Sequence, residues 1–229
     1  MLAPMPASVA LRRLRVTAAV ALVPLAFAGC AGLGQPEAYD QPGINGLDVP
    51  TPSPDPDDYV DVVDNPWLSL EPGTTRAYDV TRDGRPAGRI VVDVRDDAVP
   101  VGDLVATAVE TATDTGDGAT TVETRLYAQD EDGNVWLVGV ESDRGSWRAG
   151  TDGAEAGLAM PAHLRVGDGW LVYAVPSLPE ASRRVEDLSS ERVQVLDEAD
   201  TSTRSVYEKG VGLVSTEDLD DGSTAVLAG

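Results

Sequence analysis

The chain has 229 residues, 42% of them hydrophobic, enough for one sizeable domain, but 39 Asp and Glu stand against only 17 Lys and Arg. A formal charge of -22 excludes a general nucleic-acid-binding surface, because a phosphate backbone would meet mainly like charge. With one His and one Cys there is no site built on two histidines and no disulfide within the chain.

Arg12, Arg13 and Arg15 precede an apolar run from Val16 to Phe27 that Pro24 interrupts. A membrane-spanning helix needs roughly 20 apolar residues, so this run is too short to span and has the length of an export signal. Arg12-Arg13-Leu14-Arg15 lacks the longer twin-arginine motif, which leaves the export route open. Leu25-Ala26-Phe27-Ala28-Gly29-Cys30 resembles the lipobox of bacterial lipoproteins, with Phe27 where an aliphatic residue is usual. The resemblance implies cleavage before Cys30 and a thioether-linked diacylglycerol on its sulfur. It also implies a partner, the membrane, reached through that lipid; two or more acyl chains anchor a domain where one binds marginally. Cleavage would leave 14 Lys and Arg against 39 acids, a charge of -25.

The expected organisation is a signal peptide over 1–29, a lipid anchor and Pro/Asp-rich linker over 30–59, and a single β-rich domain over 60–229. Seven prolines between Ala31 and Pro66 preclude a continuous helix or central strand. Pro50-Thr51-Pro52-Ser53-Pro54-Asp55-Pro56 reads as an extended stalk, and Asp55, Asp57, Asp58, Asp61 and Asp64 would be repelled by an anionic lipid surface.

From about residue 60 onward, apolar residues recur with a period near two, which predicts strands. The candidates are Arg76 to Thr81, Gly88 to Val94, Leu104 to Thr111, Thr120 to Ala128, Val135 to Glu141, Trp170 to Val175, Glu191 to Leu196, Thr203 to Glu208 and Thr224 to Leu227. Within Thr120 to Ala128, Val122, Thr124, Leu126 and Ala128 share one face, and Thr121, Glu123, Arg125 and Tyr127 share the other. That alternation predicts a sheet with one buried and one wet face. Arg82-Asp83-Gly84-Arg85, Asp130-Glu131-Asp132-Gly133-Asn134 and Asp220-Asp221-Gly222-Ser223 read as hairpin turns. The expected fold is mainly β: a curved antiparallel sheet or half-barrel of about 9–11 strands, with one short helix or packed loop over Gly145 to Gly167.

Motifs that carry chemistry are sparse. Asp130, Asp132, Asn134 and Glu141 fall at calcium-loop spacing, but Val135 stands where the loop needs glycine, so a hairpin turn is the stronger reading. His163 has no second histidine for zinc, and neither Ser146 nor Ser177 sits on a nucleophile elbow, so no catalytic residue is assigned. No phosphate loop or dinucleotide fingerprint occurs, and no cofactor is expected. Large aromatics should mostly pack the core. Trp136, Trp147, Met160 and Trp170 are the candidates for lining a ligand cavity, with Trp147 at its mouth.

Four segments, Asp64-Asn65-Pro66-Trp67-Leu68-Ser69-Leu70-Glu71-Pro72-Gly73-Thr74, Tyr127-Ala128-Gln129-Asp130-Glu131-Asp132-Gly133-Asn134-Val135-Trp136, Gly145-Ser146-Trp147-Arg148-Ala149-Gly150-Thr151-Asp152-Gly153-Ala154 and Met160-Pro161-Ala162, resemble a family of secreted or lipid-anchored bacterial proteins without assigned activity. The usage of 16 Arg to one Lys fits a high-GC bacterium, such as an actinobacterium. The order of lipobox, linker and antiparallel strands also resembles the half-barrel lipoproteins of the cell envelope, which implies acyl chains held against a concave face. The sequence therefore favours a non-enzymatic extracytoplasmic domain that binds or carries an apolar or lipid ligand. The alternatives are a carboxylate-dependent hydrolase with two acids in a polar cleft and a purely structural surface module.

Overall fold

The computed structural model describes residues 58–116 and 118–229. Cys30, the expected export signal and nearly all of the expected linker lie outside the described residues. Strands follow one another as β1 (Tyr59–Val60), β2 (Asp64–Asn65), β3 (Leu68–Ser69), β4 (Thr75–Arg82), β5 (Arg85–Val94), β6 (Val99–Val101), β7 (Leu104–Asp114), β8 (Thr120–Asp130) and β9 (Val135–Ser142). They continue as β10 (Gly145–Arg148), β11 (Glu155–Met160), β12 (Gly169–Leu171), β13 (Tyr173–Ala174), β14 (Ser182–Leu188), β15 (Arg192–Glu198), β16 (Ser202–Glu208), β17 (Gly212–Asp218) and β18 (Thr224–Leu227). The described residues contain no α-helix.

Every pairing is antiparallel, and the main sheet runs β12-β14-β15-β16-β17-β18-β4-β5-β7-β8-β9-β11-β13. Its two ends, β12 and β13, are one stretch of chain separated only by Val172. Gly169 to Leu171 pair with β14, while Tyr173 and Ala174 pair with β11. The sheet thus rolls into a nearly closed barrel. The joint depends on Gly157, where a Cβ would lie 2.2 Å from the Val172 carbonyl carbon and 2.3 Å from the Tyr173 nitrogen.

Turn chemistry sets the registers. Asp83 (φ 52°) and Gly84 (φ 70°) are both left-handed between the closing pair Arg82 and Arg85, the two-residue type I′ geometry that matches strand twist. A register shift between Leu126 and Tyr127 in the β8–β9 ladder adds the local twist and bend that closure needs.

The irregular stretch expected as a helix or packed loop contains no helix and holds two strands, β10 and β11. These lie in line along the edge of β9, with a turn over 149–154 between them and a loop over 161–168 after them. β14 and β17 went unrecognised in the sequence because Arg183, Arg184, Glu186 and Asp187, or Ser215 to Asp218, hide the apolar alternation.

Two additions cover the barrel. β7 stops pairing with β8 at Thr107, and the β6–β7 hairpin departs with it. Arg148 on β10 donates from Nη1 to the Pro100 carbonyl at 2.8 Å, which carries that hairpin over the outer face of β8. β1 occupies the vacated position beside Gln129 and Asp130. Residues 63–70 cross one end of the barrel as a plug. Asn65 Nδ2 donates to the carbonyls of Gly133 (2.9 Å) and Pro161 (3.2 Å), and Gly210 N donates to the Pro66 carbonyl at 2.7 Å.

Candidate functional site

The interior of the barrel is hollow. A cavity of about 550 Å³ opens among the β9–β10 turn, the loop from Val175 to Ala181 and the β15–β16 turn. A second, of about 360 Å³, lies toward the plug, among Leu68, Leu70, Ile90, Val92, Val109 and Leu213. Both fall in the range typical of small-molecule pockets, roughly 300–1,000 Å³. Four side chains line both chambers: Glu123, Arg125, Arg183 and Asp197. They form a polar waist where the two meet.

Alternation brings these residues inward. Arg125 pairs across the ladder with Val140 and Val109, so all three share the inner face of β8, β9 and β7. On the far wall Asp197 pairs with Arg183 and Thr203. Each arginine has its own acid. Arg125 Nε donates to Glu123 Oε1 at 2.6 Å. Arg183 Nε donates to Asp197 Oδ1, Arg183 Nη1 donates to the Ala159 carbonyl at 2.7 Å, and Ser205 Oγ donates to Asp197 Oδ2 at 2.7 Å.

The two pairs differ in enclosure. The Arg183 side chain keeps 13% of its accessible surface and Asp197 22%, against 42% for Arg125 and 39% for Glu123. Arg125 is nonetheless deep in the protein, so its free surface faces the cavity rather than bulk solvent. Burial works against both guanidinium charges. Asp197 and Glu123, with the neighbouring tyrosines, outweigh it and hold both pKa values above the ordinary arginine range. Burial also pushes the Tyr207 hydroxyl up to about 12, although the Arg183 charge pulls the other way.

Of the cavity candidates read from the sequence, Trp147 lines the larger chamber, its ring tilted 57° against Tyr173 with centroids 5.7 Å apart. Trp136 and Met160 are buried in the core and line neither chamber. Trp170 is opposite Arg183 on β14 and fully packed; its indole N–H has no acceptor among the described residues.

Of the four calcium-spaced residues, Asp130 and Asn134 lock a turn. Asp130 Oδ1 accepts from Asn134 N (2.8 Å), and Oδ2 accepts from Asn134 Nδ2 (3.0 Å) and Trp136 Nε1 (2.8 Å). Glu141 pairs with Arg148, and Asp132 is exposed in the turn. Among the described residues no three His, Cys, Asp or Glu side chains are grouped as metal ligands would be.

Three of the four segments that carry the sequence resemblance meet at the plug, while the one with Trp147 lies at the opening of the larger chamber. Gln129 Oε1 accepts from Asp64 N (3.0 Å) and Asn65 N (2.8 Å), Gln129 Nε2 donates to Asp64 Oδ1 (2.7 Å), and Asn134 Oδ1 accepts from Ala162 N (2.9 Å). Asn65 Oδ1 then receives Trp67 N at 2.9 Å. These polar side chains are satisfied within the protein, so their role is to close one end of the barrel.

Sequence reasoning missed the waist. The available signal was in β15, where Val193, Val195 and Asp197 share a face: two core valines continuing into an acid mean an acid pointing inward.

Fold and cavity together define a hollow antiparallel β-barrel with a charged waist and one plugged end. No protein-family model and no curated protein matches the chain. Among solved structures, a Bacteroides fragilis protein described as exported and YmcC-like in fold is similar at a TM-score of 0.40 and 11% identity, over 70% of this chain and 96% of that one.

Proposed function

We propose that this chain is a bacterial lipoprotein of the extracytoplasmic face, anchored through Cys30, whose barrel binds or carries an apolar or lipid-like ligand. The observation that carries the reading is the hollow interior. A purely structural module has no use for chambers of about 550 and 360 Å³, because unfilled space forfeits packing and burial that a solid core would gain. Apolar walls run through both, from Leu68, Val92 and Leu213 at the plugged end to Trp147, Val172 and Leu178 near the opening.

A carboxylate-dependent hydrolase would call on Glu123 and Asp197, the acids that line both chambers. Each is already engaged by its neighbours, Glu123 by Arg125 and Asp197 by Arg183 with Ser205 on its second oxygen, so the two acids are spent on structural contacts. Binding without chemistry is the reading this arrangement supports best.

Native mass spectrometry of the exported chain, before and after organic extraction, tests the proposal. The expected result is an adduct of lipid-like mass that extraction removes and added lipid restores. A protein that carries no adduct and takes up no lipid would overturn it.

A further inference from the structure

Resting on that ligand-carrier reading, we propose that the waist holds the oxyanion head of a single-chain amphiphile, a carboxylate or phosphate monoester paired with Arg125, with the apolar remainder along the chamber walls.

The two waist arginines are not equivalent. Arg183 is engaged through Nε and Nη1 by Asp197 and the Ala159 carbonyl. Arg125 spends only Nε, on Glu123; among the described residues nothing accepts from its Nη1 or Nη2, and its remaining surface faces the cavity. Those two terminal nitrogens form the planar fork that matches two oxygens of one carboxylate or phosphate. Other donors stand by. Tyr127 and Tyr207 line the same chamber, and their hydroxyls make no hydrogen bond among the described residues, whereas the Tyr78 hydroxyl donates to the Leu213 carbonyl at 3.0 Å.

Charge points the same way. The walls of the smaller chamber carry three arginines, Arg76, Arg125 and Arg183, against two acids, Glu123 and Asp197. Glu123 and Asp197 match Arg125 and Arg183, so the charge left over is that of Arg76, whose guanidinium lies beside Gly212 at the plugged end of the same chamber. A monoanionic head held by Arg125 adds the one negative charge that balances this chamber, whereas a purely apolar ligand adds none.

The test compares head groups at constant tail on the full chain, stripped of bound lipid, by displacement of the neutral fluorophore N-phenyl-1-naphthylamine. Hexadecanoate and hexadecyl phosphate are expected to displace the probe at concentrations at least tenfold below hexadecanol. In the Glu123→Gln/Arg125→Gln double variant, which removes both partners and strands no charge, that gap should close. Equal displacement by hexadecanol and hexadecanoate on the unaltered protein would overturn the head-group contact and leave the carrier reading standing. Failure of all three to bind would overturn both. Inorganic phosphate that displaces bound hexadecanoate at similar concentration would make this a site for free anions and refute the amphiphile. Because the head-group comparison is made on the unaltered chain, the outcome does not depend on how well the variant folds.

Discussion

The two faces of β8 solve opposite problems with adjacent residues. Glu123, Arg125 and Tyr127 point into the chambers, and Thr124, Leu126 and Ala128 point outward yet are buried. In most barrels the apolar residues of a strand face inward and the polar ones face water. Here the β6–β7 hairpin folds over the outside of β8, so the outer face belongs to a dry core and the inner face to a cavity. A charged side chain at an inner position therefore need not be a defect; it is stable when a partner across the lumen or along the strand accepts its protons.

The most damaging change should be to the better-enclosed waist pair. Arg183→Met leaves Asp197 charged and short of its partner, and urea unfolding should show a loss of about 3–5 kcal/mol. A loss under about 1 kcal/mol would mean that the waist is wet enough to screen the pair, which removes the contrast. For reference, the outer pair Arg204 and Glu186 keeps 32% and 24% of its side-chain surface, and pairs on the outer surface contribute at most about 1 kcal/mol.

On the dry side, Leu126→Ala should cost about 2–5 kcal/mol, since Leu126 is fully buried beneath the hairpin and its removal leaves a void. A near-neutral result would mean that the hairpin lifts off the outer face, and faster hydrogen exchange at residues 99–106 would then accompany it.

The next effect is confined to alkaline pH. Tyr207 ionises at about 12 in the folded protein against 10.0 for the unperturbed group. A raised folded pKa means stability that is complete below about pH 10 and lost as pH rises toward 12, in total on the order of 2–3 kcal/mol. Chemical denaturation at pH 9 and 11, with Tyr207→Phe as control, should show the slope in the parent chain and a shallower one in the variant. Equal slopes would place the Tyr207 ring against solvent rather than at the waist.

Trp170→Phe should change stability least, within about 1 kcal/mol in either direction, because the indole N–H it deletes is buried without an acceptor and loses no hydrogen bond. A loss above about 2 kcal/mol in thermal or urea unfolding would show that the N–H is bonded in solution.

Much of this architecture is legible in the chain itself. Alternation marks β4, β5, β7, β8, β9, β15, β16 and β18 because half-buried strands need an apolar residue at every second position. Asp-Gly pairs mark the turns because few residues tolerate a positive φ. The site was less legible. Trp147 declared itself through glycine-flanked exposure, but Arg183 lies on a strand whose charges concealed its period, and its partner Asp197 is 14 residues further along. Nothing local in either segment says that the two meet.

The sequence by itself determined the strand period, the hairpin turns and which residues of β8 share a face. It did not determine which face looks inward. That was decided when residues 169–174 joined β11 to β14, with Gly157 admitting the passing backbone, and when the β6–β7 hairpin covered the outside of β8. Period is a property of the local backbone, whereas inside and outside exist only once distant strands have closed a surface.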